Sequence, residues 1–188
     1  FNTGIKPKED VILFVGTIQP RKNLANLLRA FAIAADAIPA SLVIAGASGW
    51  RNSAVAEVMD SLPARVRERI TFTGFVADTE LKALYRNARL FAAPSLHEGF
   101  GLIVLEAIAS GTAVLTSPRG ALKEFFDGAA FFCDPENPED IAAQILRLWK
   151  TVPTTPWYPE GARRVIERHS LSAMAGRFSG IINTVRSS

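Results

Sequence analysis

The chain has 188 residues, 48% of them hydrophobic, with 21 lysines and arginines against 18 aspartates and glutamates for a net charge of +3. This length favours one domain burying about 70% of its unfolded surface, and the near-balance of charge gives nucleic-acid binding no support. No apolar run approaches the ~18 residues of a membrane span and Phe1 opens no basic-then-apolar leader, so a soluble chain is expected.

Six short β-rich apolar runs follow in order: Val11–Gly16, Ser41–Gly46, Ile70–Phe75, Leu90–Ser95, Ala113–Ser117 and Ala129–Asp134. Each reads as a strand buried on both faces. Helical spacing fills the gaps, in "NLANLLRAFAIAADAI", "SAVAEVMDSL", "DTELKALYRNA", "GLIVLEAIASG" and "NPEDIAAQILRLWK", with helix starts expected at Asn23, Ser53, Asp78 and Asn137. After Lys150 the prolines of "TVPTTPWYPEG" break the pattern before two last helical stretches, Gly161–His169 and Leu171–Val185. This βα alternation predicts the α/β class, a doubly wound, Rossmann-like parallel sheet. The basic clusters "ARVRER" and "GARRVIERH" read as solvated helix faces, and the single Cys133 as a core thiol of a reducing compartment.

In such a sheet, ligands bind outside the carboxyl ends of the strands. The loops gathered there are "GTIQPRKN", "GASGW", "GFVAD", "SLHEGFG" and "SPRGALKE". The first has no G-x-G-x-x-G spacing and no acidic residue ends the second strand, so a nicotinamide fingerprint is not supported; nor does a G-x-x-x-x-G-K-[ST] loop occur. Arg21 and Lys22, adjacent and just ahead of a helix start, suit a diphosphate, although an exposed Arg-Lys pair is the plainer alternative. Gly99 and Gly101 allow close backbone approach at the start of the next helix, where unpaired N–H groups can meet a phosphate or a sugar hydroxyl.

That helix carries Glu106 among Leu102, Ile103, Val104, Leu105, Ala107 and Ile108, so it reads as buried. A buried carboxylate must be protonated, paired with a cation, or open to a pocket where a ligand meets it. A pair of vicinal ribose hydroxyls would satisfy it without a second charge.

Glu98 and Glu106 within "PSLHEGFGLIVLEAIASGTAVLTS", preceded by "VGTIQPRKNLANLLRAF" and "LVIAGASGW" and followed by "GAAFFCDPENPEDIA", give a chain that resembles the C-terminal, donor-binding half of retaining family-4 (group 1) glycosyltransferases of the GT-B fold. The resemblance implies that residues 1–188 form the nucleotide-sugar domain and that the N-terminal acceptor domain lies outside this chain. An opening Phe1 leads to the same expectation of a longer protein. It further implies that Glu106 binds ribose hydroxyls, that Arg21 and Lys22 hold the diphosphate, and that Glu98 meets sugar hydroxyls near the reacting carbon. Backbone N–H groups around Gly99, Phe100, Gly101 and Leu102 would contact the sugar or distal phosphate. Gly16 and Thr17 would line the cleft, and Phe75 and Val76 would frame the base.

Transfer with retention and without a metal or other cofactor is implied, since no D-x-D motif occurs and the Arg21–Lys22 pair takes the cation's place. The loop "GTIQPRKN" is similar to that of bacterial mannosyltransferases, which favours GDP-mannose as donor and a glycan or lipid-linked acceptor. His97 as a base is less favoured than His97 as a loop residue, and Glu124 stands where related enzymes often carry Pro-Glu, here with Lys123 in the proline's place. A cytoplasmic location is expected, with peripheral attachment of the full-length enzyme at the inner membrane face left open. Two alternatives stay open: a non-catalytic nucleotide-sugar-binding module, and a GT-B enzyme using UDP-sugars.

Overall fold

A computed structural model describes residues 7–47 and 53–170, together with Ala173. All six expected strands form: β1 (Glu9–Val15), β2 (Ser41–Ala45), β3 (Ile70–Gly74), β4 (Ala88–Ala93), β5 (Ala113–Thr116) and β6 (Phe131–Phe132). They pair in parallel in the order β3-β2-β1-β4-β5-β6, so the chain reverses its winding direction between β1 and β4. β6 is shorter than its apolar run because only Phe131 and Phe132 pair, with Leu115 and Thr116.

Burial on both faces explains why these strands read as continuous apolar runs. Alternate residues of β1 feed opposite layers. Ile12 and Phe14 join Leu27, Phe31, Leu42, Ile44, Ile141 and Leu148, under α1 (Leu24–Ala34) and α7 (Pro138–Thr151), which pack on each other. Leu13 and Val15 join Phe91, Val104, Ile108, Phe126 and Val165, under α4 (Asp78–Asn87), α5 (Leu102–Ala109), α6 (Leu122–Phe126) and α8 (Glu160–Arg168). Helices α2 (Ser53–Ser61) and α3 (Ala64–Arg67) complete the described elements. Both α3 and α6 are too short to show helical periodicity, and the sequence reading does not contain them. The stretch Leu171–Val185 falls, apart from Ala173, outside the described residues.

Three details refine the sequence reading. Asn137 caps α7 as expected, accepting from the Asp140 N–H at 3.1 Å, an arrangement contributing about 1 kcal/mol. Asn23 does not cap α1: its backbone is left-handed, with φ of 60°, and its side chain donates to the Pro94 carbonyl at 2.9 Å and the Pro135 carbonyl at 2.6 Å. In "ARVRER", Arg65 and Arg67 are exposed, but Arg69 turns back to donate to the Ala35, Ile38 and Ala40 carbonyls beyond α1, its guanidinium 5.7 Å from the Phe31 ring centre. It therefore closes the end of a helix rather than solvating a face.

Among the described residues no helix is long and apolar enough to cross a membrane. Cys133 is free and buried, its thiol pushed up to about 12 by burial and then by Asp140 and Asp134. That matches the core-thiol reading.

Candidate functional site

The winding reversal brings the loop after β1 against the loop after β4, because those strands are paired neighbours, Ile12 beside Leu90 and Leu13 beside Phe91. Pro20 starts a single 3-10 turn through Lys22. The Arg21 carbonyl accepts from the Leu96 N–H at 2.8 Å, which locks the first loop to the second. Asn23 ties the same turn to the loops after β4 and β6 through its two side-chain bonds. A residue read as a helix cap thus anchors the cation pair.

Held this way, Arg21 and Lys22 converge on Glu98. Lys22 Nζ is 2.9 Å from Glu98 Oε2, and Arg21 Nη1 is 3.2 Å from the same oxygen. The Lys22 side chain is only 8% exposed, whereas that of Arg21 is 49% exposed. Gly16 lies over the end of Lys22: a methyl group there would be 3.5 Å from Lys22 Cε and 3.9 Å from Nζ. Gly16, Arg21, Lys22 and Glu98 are therefore brought together, with Thr17 exposed beside them. His97 is exposed on the rim, and Glu124 is exposed on α6.

The loop after β5 supports this cluster from behind. Gly120, with φ of 62°, packs so closely that a Cβ would fall 2.2 Å from the Glu98 carbonyl oxygen. Gly101, with φ of 80°, leads into α5, and a Cβ there would meet Leu122 Cδ2 at 2.4 Å. Both positions demand glycine on backbone and spatial grounds. Phe100 turns its ring inward, 5.0 Å from Phe125 and 4.9 Å from His169 between ring centres.

Glu106 departs from the sequence reading. It is not buried: α5 sinks Val104, Ala107 and Ile108 into the core and presents Leu102 and Glu106 outward, with Leu102 62% exposed. The apolar neighbours that suggested burial include this exposed Leu102 and the half-buried Ile103 and Leu105. Of the three states left open, the cation pair is absent among the described residues. Glu106 Oε2 instead accepts from the Tyr85 hydroxyl at 3.0 Å. It faces a cavity of about 400 Å³ lined also by Asp78, Leu81, Lys82, Arg86 and Ala109.

Tyr85 was not singled out from the sequence. The available signal was a tyrosine at a core-facing position of a predicted helix, whose hydroxyl must find a partner. Burial raises its pKa well above the ordinary tyrosine value, with the Glu106 charge and hydrogen bond adding to the shift, so the hydroxyl remains a donor. Phe75 is 85% exposed at the end of β3, and Val76 is half-buried against the second core layer. These two residues follow the edge strand β3, three places from β4 in the sheet and so apart from the Glu98 loop.

A Rossmann-like sheet with a cationic pair and a glycine-hinged helix start at its winding reversal has the layout of an anion-binding site at the carboxyl ends of the strands. The chain belongs to the family of glycosyl transferases group 1, which it matches over residues 1–155. It is 33% identical over 150 residues to O-antigen chain mannosyltransferase B of Escherichia coli, covering 76% of this chain and 39% of that protein. It is 41% identical over 126 residues to D-inositol 3-phosphate glycosyltransferase of Rhodococcus opacus, covering 63% and 28% respectively. The chain thus spans about two fifths or less of these curated relatives. Among solved structures, Anabaena HepE in complex with UDP and glucose superposes with a TM-score of 0.80 at 20% identity, over 94% of this chain and 49% of that one. The C-terminal domain of the group 1 glycosyl transferase LpcC of Francisella tularensis superposes with a TM-score of 0.71 at 24% identity, over 87% of each chain.

Proposed function

We propose that this chain is the nucleotide-sugar domain of a retaining mannosyltransferase that uses GDP-mannose, with its acceptor held by an N-terminal domain outside residues 1–188. The observation that carries this reading is a cation cluster on the loop that leads into α5 together with an exposed carboxylate on that helix. The Arg21–Lys22–Glu98 cluster lies at the start of α5, and Glu106 follows four residues after Leu102 on the outward face, about 6 Å along the axis. That is the scale separating the distal phosphate of a nucleoside diphosphate from its ribose.

In this reading Arg21 and Lys22 grip the diphosphate, and the first N–H groups of α5, from Gly101 and Leu102, add the positive end of the helix. Gly99 and Phe100 contribute backbone, because the Phe100 ring is already engaged by Phe125 and His169. Gly16 and Thr17 line the diphosphate side. Glu106 accepts from the ribose hydroxyls, and Phe75 and Val76 border the base.

Transfer breaks the bond between the sugar's anomeric carbon and the diphosphate oxygen and forms one from that carbon to an acceptor hydroxyl. The acceptor's proton passes to the departing phosphate, whose growing charge the Arg21–Lys22 pair stabilises in place of a metal ion. Glu98 exchanges its cation partners for sugar hydroxyls once phosphate occupies the pair. The E. coli and Salmonella relatives described as O-antigen mannosyltransferases support mannose as the sugar and a glycan or lipid-linked acceptor. Asp78 in the Glu106 cavity supports guanine, whose adjacent N1–H and amino donors suit a carboxylate.

A second reading, a UDP-sugar donor, is favoured by the UDP-bound structural neighbours. Calorimetric titration with GDP, UDP and ADP decides between them. GDP is expected to bind most tightly, and no appreciable transfer is expected from residues 1–188 alone. Preference for UDP would move the assignment to the second reading, and no binding of any diphosphate would overturn both.

A further inference from the structure

We propose that Tyr85 is a positioning residue for the nucleotide ribose, acting through Glu106; the proposal rests on the ribose-binding reading of Glu106. Tyr85 is 2% exposed on α4 and packs its ring against Phe91 of β4, centres 5.7 Å apart. From this fixed ring the hydroxyl reaches the neighbouring helix and donates to Glu106 Oε2 at 3.0 Å.

The main chain beneath the ring is pinned as well. Its carbonyl accepts from the Thr112 hydroxyl, whose oxygen lies 3.0 Å from Lys8 Nζ, and Lys8 also donates to the adjacent Arg86 carbonyl at 2.6 Å. Tyr85 is thus held at both ends while its hydroxyl holds the carboxylate.

An outward glutamate on a helix surface samples many rotamers, and fixing it on ligand binding costs side-chain entropy. Tyr85 meets that cost in advance. Because the donor is neutral, it fixes one carboxylate oxygen without cancelling the charge, and Oε1 takes no hydrogen bond from the described residues. Glu98 contrasts with this, since two cations share a single one of its oxygens. The Glu106 carboxylate is therefore aimed and has an oxygen left for two vicinal hydroxyls.

The test compares whichever of GDP and UDP binds more tightly with its 2′,3′-dideoxy analogue, titrated into the 188-residue chain. Wild type is expected to prefer the ribonucleotide at least ten-fold, Glu106→Gln to lose the preference, and Tyr85→Phe to reduce it several-fold while binding the dideoxy analogue as wild type does. The double variant should lose no more than Glu106→Gln alone. If Tyr85→Phe keeps the full preference that Glu106→Gln loses, Tyr85 merely ties α4 to α5 and the proposal is overturned, with the Glu106 reading intact. If wild type shows no preference, the ribose reading itself fails and takes the proposal with it.

A measurement on the unmutated chain covers the case in which Tyr85→Phe does not fold. The sequence has two tyrosines, so the ring resonances of ¹³C-tyrosine-labelled protein are assigned with a Tyr158→Phe variant. The Tyr85 signal should shift when the ribonucleotide binds and shift less with the dideoxy analogue. Equal responses to both would overturn the proposal.

Discussion

Lys22 Nζ lies 2.9 Å from Glu98 Oε2 with both side chains largely shielded from solvent, while Arg21 reaches the same oxygen from solvent at 3.2 Å. The two cations are therefore unequal. A charge-assisted hydrogen bond in a desolvated place is worth more than an exposed one, where screening and side-chain entropy offset the gain. Lys22→Met keeps the buried stem and removes the charge; it should lower GDP affinity by on the order of 2 kcal/mol, about 30-fold. Arg21→Met should cost only a few-fold. Isothermal titration of both variants checks the ranking, and equal losses would contradict it.

Glu98 occupies both cations and offsets one of their two charges before any ligand arrives. Glu98→Gln should therefore tighten binding of free GDP several-fold, because two cations are released to the diphosphate, while the extra affinity of GDP-mannose over GDP shrinks. Competition binding with both ligands measures the two effects separately. Weaker GDP binding in Glu98→Gln would mean that the carboxylate shapes the loop rather than masks its charge.

Asn23 shows how far the sequence carried and where it stopped. Its place before an apolar periodic run marked the start of α1 to within a residue, but nothing local revealed that its side chain spans to Pro94 and Pro135. Removing two buried bonds should make Asn23→Ala about 2 to 3 kcal/mol less stable, with part of the loss arising from the left-handed backbone at φ of 60°. Asn23→Gly relieves the backbone term and should lose less. Urea unfolding midpoints of the two variants distinguish the contributions.

The same contrast runs through the whole chain. Strands such as Leu90–Ala93 were legible because burial on both faces leaves an unbroken apolar run. The orientation of α5 was not, since Leu102, Ile103 and Leu105 place apolar groups around the whole helix, including the face that turns outward. Charges and glycines at the strand ends located Arg21, Lys22 and Glu98. Tyr85 was hidden because its role depends on two helices meeting side by side, a long-range packing fact that helical spacing does not encode.

Lys8 gives a pH signature of the same packing. Burial lowers its ammonium from 10.5 to about 8, while its amine donates to Arg86 and Thr112. Between these values the unfolded chain binds more protons than the folded one, so the unfolding free energy rises with pH across this window. Below pH 8 the burden of a buried charge is fully present. From about pH 8 to 10.5 wild type should gain on the order of 3 kcal/mol relative to Lys8→Met. Urea titrations of both proteins at matched pH values test this, and parallel profiles would contradict it.

Glu106, turned outward on α5, is the residue on which nucleotide binding is expected to depend most. Titrating GDP into wild type and Glu106→Ala is the most direct test. Binding to wild type with at least a ten-fold loss in the variant is the predicted result. Unchanged affinity on removing Glu106 would contradict the assignment of this helix face to the nucleotide.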